Sequence, residues 1–80
     1  MKSTFTGSKV QLSPIVESMS RQDIEHVFGA FGKVSDVDMR KHSGKTVVVT
    51  YVSRLDSEQA VENLDGSELH GVAVSVRHVD

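Results

Sequence analysis

Eighty residues make one small domain, with no room for a second core. Hydrophobic residues are 38% of the chain and charged residues 25%, a balance too apolar for a disordered segment. The net charge of −2 excludes a domain held to nucleic acid by bulk electrostatics, which needs a surplus of Lys and Arg. Local basic patches remain open, and neighbours in a longer chain would add to them. The absence of cysteine rules out a disulfide framework and a thiolate metal site. No apolar run nears the ~20 residues of a membrane span, and the N-terminus has no signal-peptide apolar region. An intracellular setting, nuclear or cytoplasmic, is expected.

Residues 1–8 are small and polar without periodicity, which predicts a flexible tail before a single domain over 9–80. Val10-Gln11-Leu12 alternates as a half-buried strand does, and Ser13-Pro14 ends it, because proline cannot donate to a central ladder. Ser20-Arg21-Gln22-Asp23 predicts a helix start with a capping-box arrangement, and Met19 and Ile24 stand where a hydrophobic staple forms. Ile24, Val27, Phe28 and Phe31 make one apolar stripe, and Gly32 supplies the stop. Glu17, Asp23 and Glu25 place negative charge near the positive end of the helix dipole.

Val34, Val37 and Met39 predict a second strand with an irregularity near its start. Residues 40–45 predict a hairpin loop with Gly44 free to take positive φ, and residues 46–51 (TVVVTY) are the strongest strand signal in the chain. Ser53-Arg54-Leu55-Asp56 repeats the earlier helix start 33 residues on, Ser57, Ala60, Val61 and Leu64 give the second amphipathic face, and Asp65-Gly66 ends it. Val72, Val74 and Val76 alternate with Ala73, Ser75 and Arg77 as a last strand. The order βαββαβ predicts an α+β, ferredoxin-like sandwich, a four-stranded antiparallel sheet packed on two helices. Right-handed crossovers put both helices on one face, so function is sought on the open face and in the loops.

The stretches 24–34 (IEHVFGAFGKV) and 60–71 (AVENLDGSELHG) resemble the first helix and the second-helix turn of the RNA recognition motif family, and the resemblance runs over 9–79. It implies binding of single-stranded RNA. The family's octamer, K/R-G-F/Y-G/A-F-V-x-F/Y, carries outward aromatics that stack bases. In the matching residues 44–51 the inward Val49 and Tyr51 survive, but the two outward aromatic positions are Thr46 and Val48. In the hexamer 10–15 the outward position is Gln11. Stacking is worth about 1–3 kcal/mol per base, so losing two or three platforms removes on the order of 3–6 kcal/mol. Asp38 is expected outward beside Gln11, where an anion repels phosphate. This implies weak RNA binding, or binding by the β2–β3 loop and strand ends.

The candidate RNA-binding residues are therefore Gln11, Ser13, Arg40, Lys41, His42, Lys45, Thr46, Val48, Arg77 and His78. The 40–45 loop gathers three of the nine Lys and Arg, with Lys33 expected near its base; it reads equally as a phosphate-tracking finger or a solubilising turn. Gln11, Ser13, Thr46, Thr50 and Ser75 are expected to form a flat polar patch around Val48. This patch would contact bases without stacking, receive a partner protein, or pair two copies face to face. Phe28, Phe31 and Tyr51 read as core, and Phe5 alone stands outside the scaffold.

No cofactor, metal or catalytic residue is expected. His26, His42, His70 and His78 lack ligand spacing, and no nucleophile–base pair is readable. Metal-chaperone domains of this layout need paired cysteines, and acylphosphatase-like sites need an anion cradle that residues 14–17 (PIVE) do not offer. Residues 67–71 also lack the Arg-x-Phe motif with which some family members hold a tryptophan peptide. The competing expectation to RNA binding is a protein-interaction module on the same scaffold within an RNA-processing complex.

Overall fold

The computed structural model describes residues 8–16, 18–39 and 46–79. Phe5, Glu17 and the 40–45 segment lie outside the described residues. The elements are β1 (Ser8–Ser13), α1 (Arg21–Gly29), β2 (Val34–Asp38), β3 (Val47–Tyr51), α2 (Arg54–Leu64), β4 (Glu68–Leu69), β5 (Val72–Ala73) and β6 (Ser75–His78). β2, β3, β1 and β6 form one antiparallel sheet in that order, while β4 and β5 pair as a separate small hairpin. The expected α+β layout is thus present, with the two short strands of the β4–β5 hairpin added.

Period-two alternation builds the core. Val10, Leu12, Val37, Val47, Val49, Tyr51 and Val76 fill the inner sheet face and meet Ile24 and Phe28 of α1 and Ala60 and Leu64 of α2. Phe28 is fully buried, while Phe31 only packs against this cluster. Tyr51 is the largest buried side chain, tilted against Phe28 with ring centroids 6.4 Å apart.

Helix α1 starts as its sequence predicts. Ser20 Oγ accepts from the Asp23 N–H at 3.1 Å, and Asp23 Oδ2 accepts from the Ser20 N–H at 3.1 Å. Met19 and Ile24, the staple pair, are both buried. The same Ser-Arg-x-Asp pattern at Ser53 behaves differently, for Ser53 makes no side-chain cap hydrogen bond. Asp56 lies instead against Gly32, its carboxylate occupying the space a Cβ there would take. Gly32 is thus required by the close approach of α2.

Three further expectations are corrected. Ser8, placed in the tail by its small polar neighbours, is the first residue of β1, fully buried and paired in register with Tyr51. The last strand of the sheet begins at Ser75, because Val72 and Ala73 pair back onto Leu69 and Glu68 across a tight turn. His70 (φ 52°) and Gly71 (φ 79°) supply the two left-handed residues that turn requires. Lys33 lies at the start of β2, with its carbonyl accepting from the Val52 N–H at 3.0 Å, at the end of that strand away from the 40–45 segment. The expected irregularity in β2 is present: the register shifts between Val34 and Asp36, leaving Ser35 unpaired in the ladder, where its hydroxyl donates to the Thr50 carbonyl at 3.3 Å.

Candidate nucleic-acid interface

Because both helices cover one side of the sheet, the alternate residues of its strands form an open face. Register fixes the neighbours on that face. Arg77, Gln11, Val48 and Asp38 stand in one row across β6, β1, β3 and β2. Lys9, Thr50 and Asp36 make the next row, which the Val79 N–H extends by donating to the Lys9 carbonyl at 3.1 Å. Ser13 and Ser75 make the third, with Thr46 just before β3 on the same side.

These rows give the face a polarity. Among the described residues of these rows the cations, Lys9 and Arg77, are exposed on β1 and β6, and the carboxylates, Asp36 and Asp38, lie on β2. Asp36 and Asp38, two residues apart and paired with Thr50 and Val48, both face outward, and the bulge at Ser35 turns Val34 inward opposite Tyr51. Between the two edges the side chains are short and partly covered. Gln11, Ser13, Val48 and Ser75 are half-buried, and Thr50, between Lys9 and Asp36, is 9% exposed.

Of the candidate residues, Gln11, Ser13, Thr46, Val48 and Arg77 come together on this face. His78 does not join them. It pairs with Val10, sharing the parity of the core side, and is exposed only because it sits at the sheet edge. Arg40, Lys41, His42 and Lys45 lie outside the described residues. Lys9 escaped the sequence reading; the signal was the Lys9-Gln11-Ser13 alternation, which puts all three on one side.

No aromatic ring lies on the face among the described residues: Phe28 and Tyr51 are beneath the sheet and Phe31 packs on the core. Hollows lie along α1 and β2. One, of about 350 Å³, runs between α1 and β2 and is lined by Arg21, Glu25, Gly29 and residues 34–37. Among the described residues no three His, Asp or Glu side chains gather as a metal site would need. No helix among them is long and apolar enough to cross a membrane.

On the far side of the molecule, the β4–β5 turn reaches the start of α1. The His70 ring lies 3.0 Å from Ser18 Oγ through Nδ1 and 3.4 Å from Asp23 Oδ2 through Nε2. The Asp23 carboxyl is held below the usual carboxylate range, chiefly by the Ser20 backbone N–H, with His70 and His26 adding smaller contributions.

Comparison with known proteins agrees with this architecture. The chain is 27% identical over 74 residues to serine/arginine-rich splicing factor 5 of Mus musculus, covering 92% of this chain and 26% of that protein. It is 35% identical over 66 residues to a probable splicing factor, arginine/serine-rich 2, of Caenorhabditis elegans, covering 82% and 22% respectively. The chain therefore spans about a quarter of these relatives' length. Among solved structures it is similar to the RRM domain of Puf1 from S. pombe (TM-score 0.82, 24% identity, 92% of this chain and 90% of that one). It is also similar to the Sex-lethal RNA recognition domains 1 and 2 of Drosophila melanogaster (TM-score 0.80, 18% identity, 91% and 50%); both likenesses show the fold. The model of the RNA recognition motif matches residues 12–75, and with the four-stranded sheet backed by two helices this places the chain in the RNA recognition motif family.

Proposed function

We propose that this domain binds single-stranded RNA on the β1–β6 half of its open face and on the 40–45 segment, through phosphate and hydrogen-bond contacts in place of ring stacking. The observation that carries this reading is the row Arg77, Gln11, Val48, Asp38. Where family members stack bases it offers an amide and a methyl-bearing side chain, with a cation at one end and a carboxylate at the other. A phosphate backbone is drawn toward Lys9 and Arg77 and kept off β2 by Asp36 and Asp38. Gln11, Ser13, Thr46 and Ser75 then supply hydrogen bonds to base edges, Arg40, Lys41 and Lys45 add cationic contacts, and His42 adds a hydrogen bond. Without stacking platforms the affinity is low and strongly salt-dependent. The resemblance to splicing factors supports a role in RNA processing, in the nucleus.

A second reading, a protein-interaction module within an RNA-processing complex, is favoured by one observation: Asp36 and Asp38 share the face that RNA would use. Fluorescence anisotropy with a labelled mixed-sequence oligoribonucleotide separates the two. Lys9→Glu with Arg77→Glu, and Lys41→Glu with Lys45→Glu, should each weaken binding at least about tenfold, and each pair should flatten the salt dependence. Val48→Ala should change affinity by less than about twofold, since no base stacks there. A Val48→Ala loss equal to that of the charge reversals, or no binding by the parent chain, would set the RNA reading aside in favour of the second.

A further inference from the structure

We propose that the open sheet face is self-complementary and pairs two copies of this chain about a two-fold axis parallel to the strands. Take an axis running between β1 and β3. A half-turn about it lays β6 of one copy across β2 of the other and β1 across β3, while each row stays at its own height. Arg77 then faces Asp38 of the second copy, and the symmetry makes this contact twice. Gln11 faces Val48 of the second copy, and Lys9 faces its Thr50, one strand spacing of about 4.8 Å from its Asp36. The alternative two-fold, across the strands, sets β6 on β6 and β2 on β2 and confronts like charges. The order of charges along the rows therefore selects one arrangement.

Two more features fit this occupant. Within the three rows the described charges are two of each sign, Lys9 and Arg77 against Asp36 and Asp38, with Lys33 beyond them before β2, so the paired rows do not add to the repulsion that the chain's overall net charge of −2 implies. The side chains between them, Ser13, Val48, Thr50 and Ser75, are short and already partly covered. Sheets bearing short side chains stack about 10 Å apart, and ordering such groups costs little side-chain entropy. Such a dimer covers Gln11 and Arg77, so it and the proposed RNA complex exclude one another. The dimer itself does not depend on the RNA reading.

Sedimentation velocity on the 80-residue chain, at an ionic strength of about 20 mM where screening is weak, tests this without RNA. The parent chain should sediment as a dimer at high micromolar concentration, and Arg77→Asp or Asp38→Arg should each raise the dissociation constant at least about tenfold. Each substitution supplies the charge that the other removes, so an equimolar mixture of the two variants should recover the dimer. Misfolded variants could not be rescued in this way. Should either variant lose its circular-dichroism signature, the charge-neutral pair Arg77→Gln and Asp38→Asn should each raise the dissociation constant. A monomeric parent chain, folded variants that associate as the parent does, or a mixture of folded variants that stays monomeric overturns the proposal. Failure here leaves the RNA reading standing, and loss of RNA binding leaves this one standing.

Discussion

The Tyr51 hydroxyl donates a hydrogen bond of 2.6 Å to the Phe28 carbonyl, tying the end of β3 to the last turn of α1. Burial, with a smaller contribution from the charge of Asp56, pushes the phenol pKa up, so the proton stays on Tyr51 and the bond persists at any pH the fold survives. Tyr51→Phe removes the donor but keeps the ring. The Phe28 carbonyl still accepts from the Phe31 N–H at 3.1 Å, so the loss should be about 0.5–1.5 kcal/mol rather than the cost of an orphaned group. Urea unfolding should show a lower midpoint with an unchanged slope; an unchanged midpoint would mean the bond contributes nothing.

Gly32 and Asp56 meet where α1 stops and α2 begins. A methyl group at Gly32 collides with the Asp56 carboxylate, so Gly32→Ala should cost about 1–3 kcal/mol. In a double-mutant cycle Asp56→Gly should recover part of that loss, because it empties the contested space. Strictly additive losses would show that the two residues do not compete.

Ser8 is buried in β1 with a hydroxyl that has no hydrogen-bond partner among the described residues. Ser8→Ala deletes the unsatisfied group at nearly constant volume, and thermal melting should show stability unchanged or raised by up to about 1 kcal/mol. A clear loss of stability would mean that the hydroxyl has a partner in solution.

Asp23 carries the pH dependence of the α1 start. Its folded-state pKa lies below the ordinary value of an aspartate carboxyl. It therefore contributes stability that is fully present above that value and is lost as pH falls through the lower, folded-state value. Acid titration of the fold should show this loss at the acidic end, and Ser20→Ala, which removes a cap partner, should reduce it. An acidic-end loss that Ser20→Ala leaves unchanged, or no loss there at all, would contradict this assignment.

What the sequence showed and hid follows from range. The α1 cap was legible because Ser20 and Asp23 are three residues apart and satisfy each other locally. The similar Ser-Arg-x-Asp start at Ser53 misled because Asp56 lies against Gly32, a partner 24 positions earlier. The β4–β5 hairpin was hidden by its own side chains: Val72, Val74 and Val76 continue one alternation straight across a break in pairing. Its turn uses His70 where the usual signal is asparagine. Arg77 and His78 were read as one contact, though neighbouring strand residues point to opposite faces. The outward placement of Gln11 and Val48 was readable from alternation alone. The polarity of the face was not, because it depends on register between strands as distant as Gln11 and Arg77.

Amide chemical-shift mapping during titration with a mixed-sequence single-stranded oligoribonucleotide tests the central claim most directly. The account predicts shifts at Lys9, Gln11, Arg77 and the 40–45 segment, little change along α1 and α2, and loss of the shifts by about 200 mM salt. Absence of shifts at millimolar RNA, shifts confined to the helices, or shifts on the sheet that persist at high salt would contradict it.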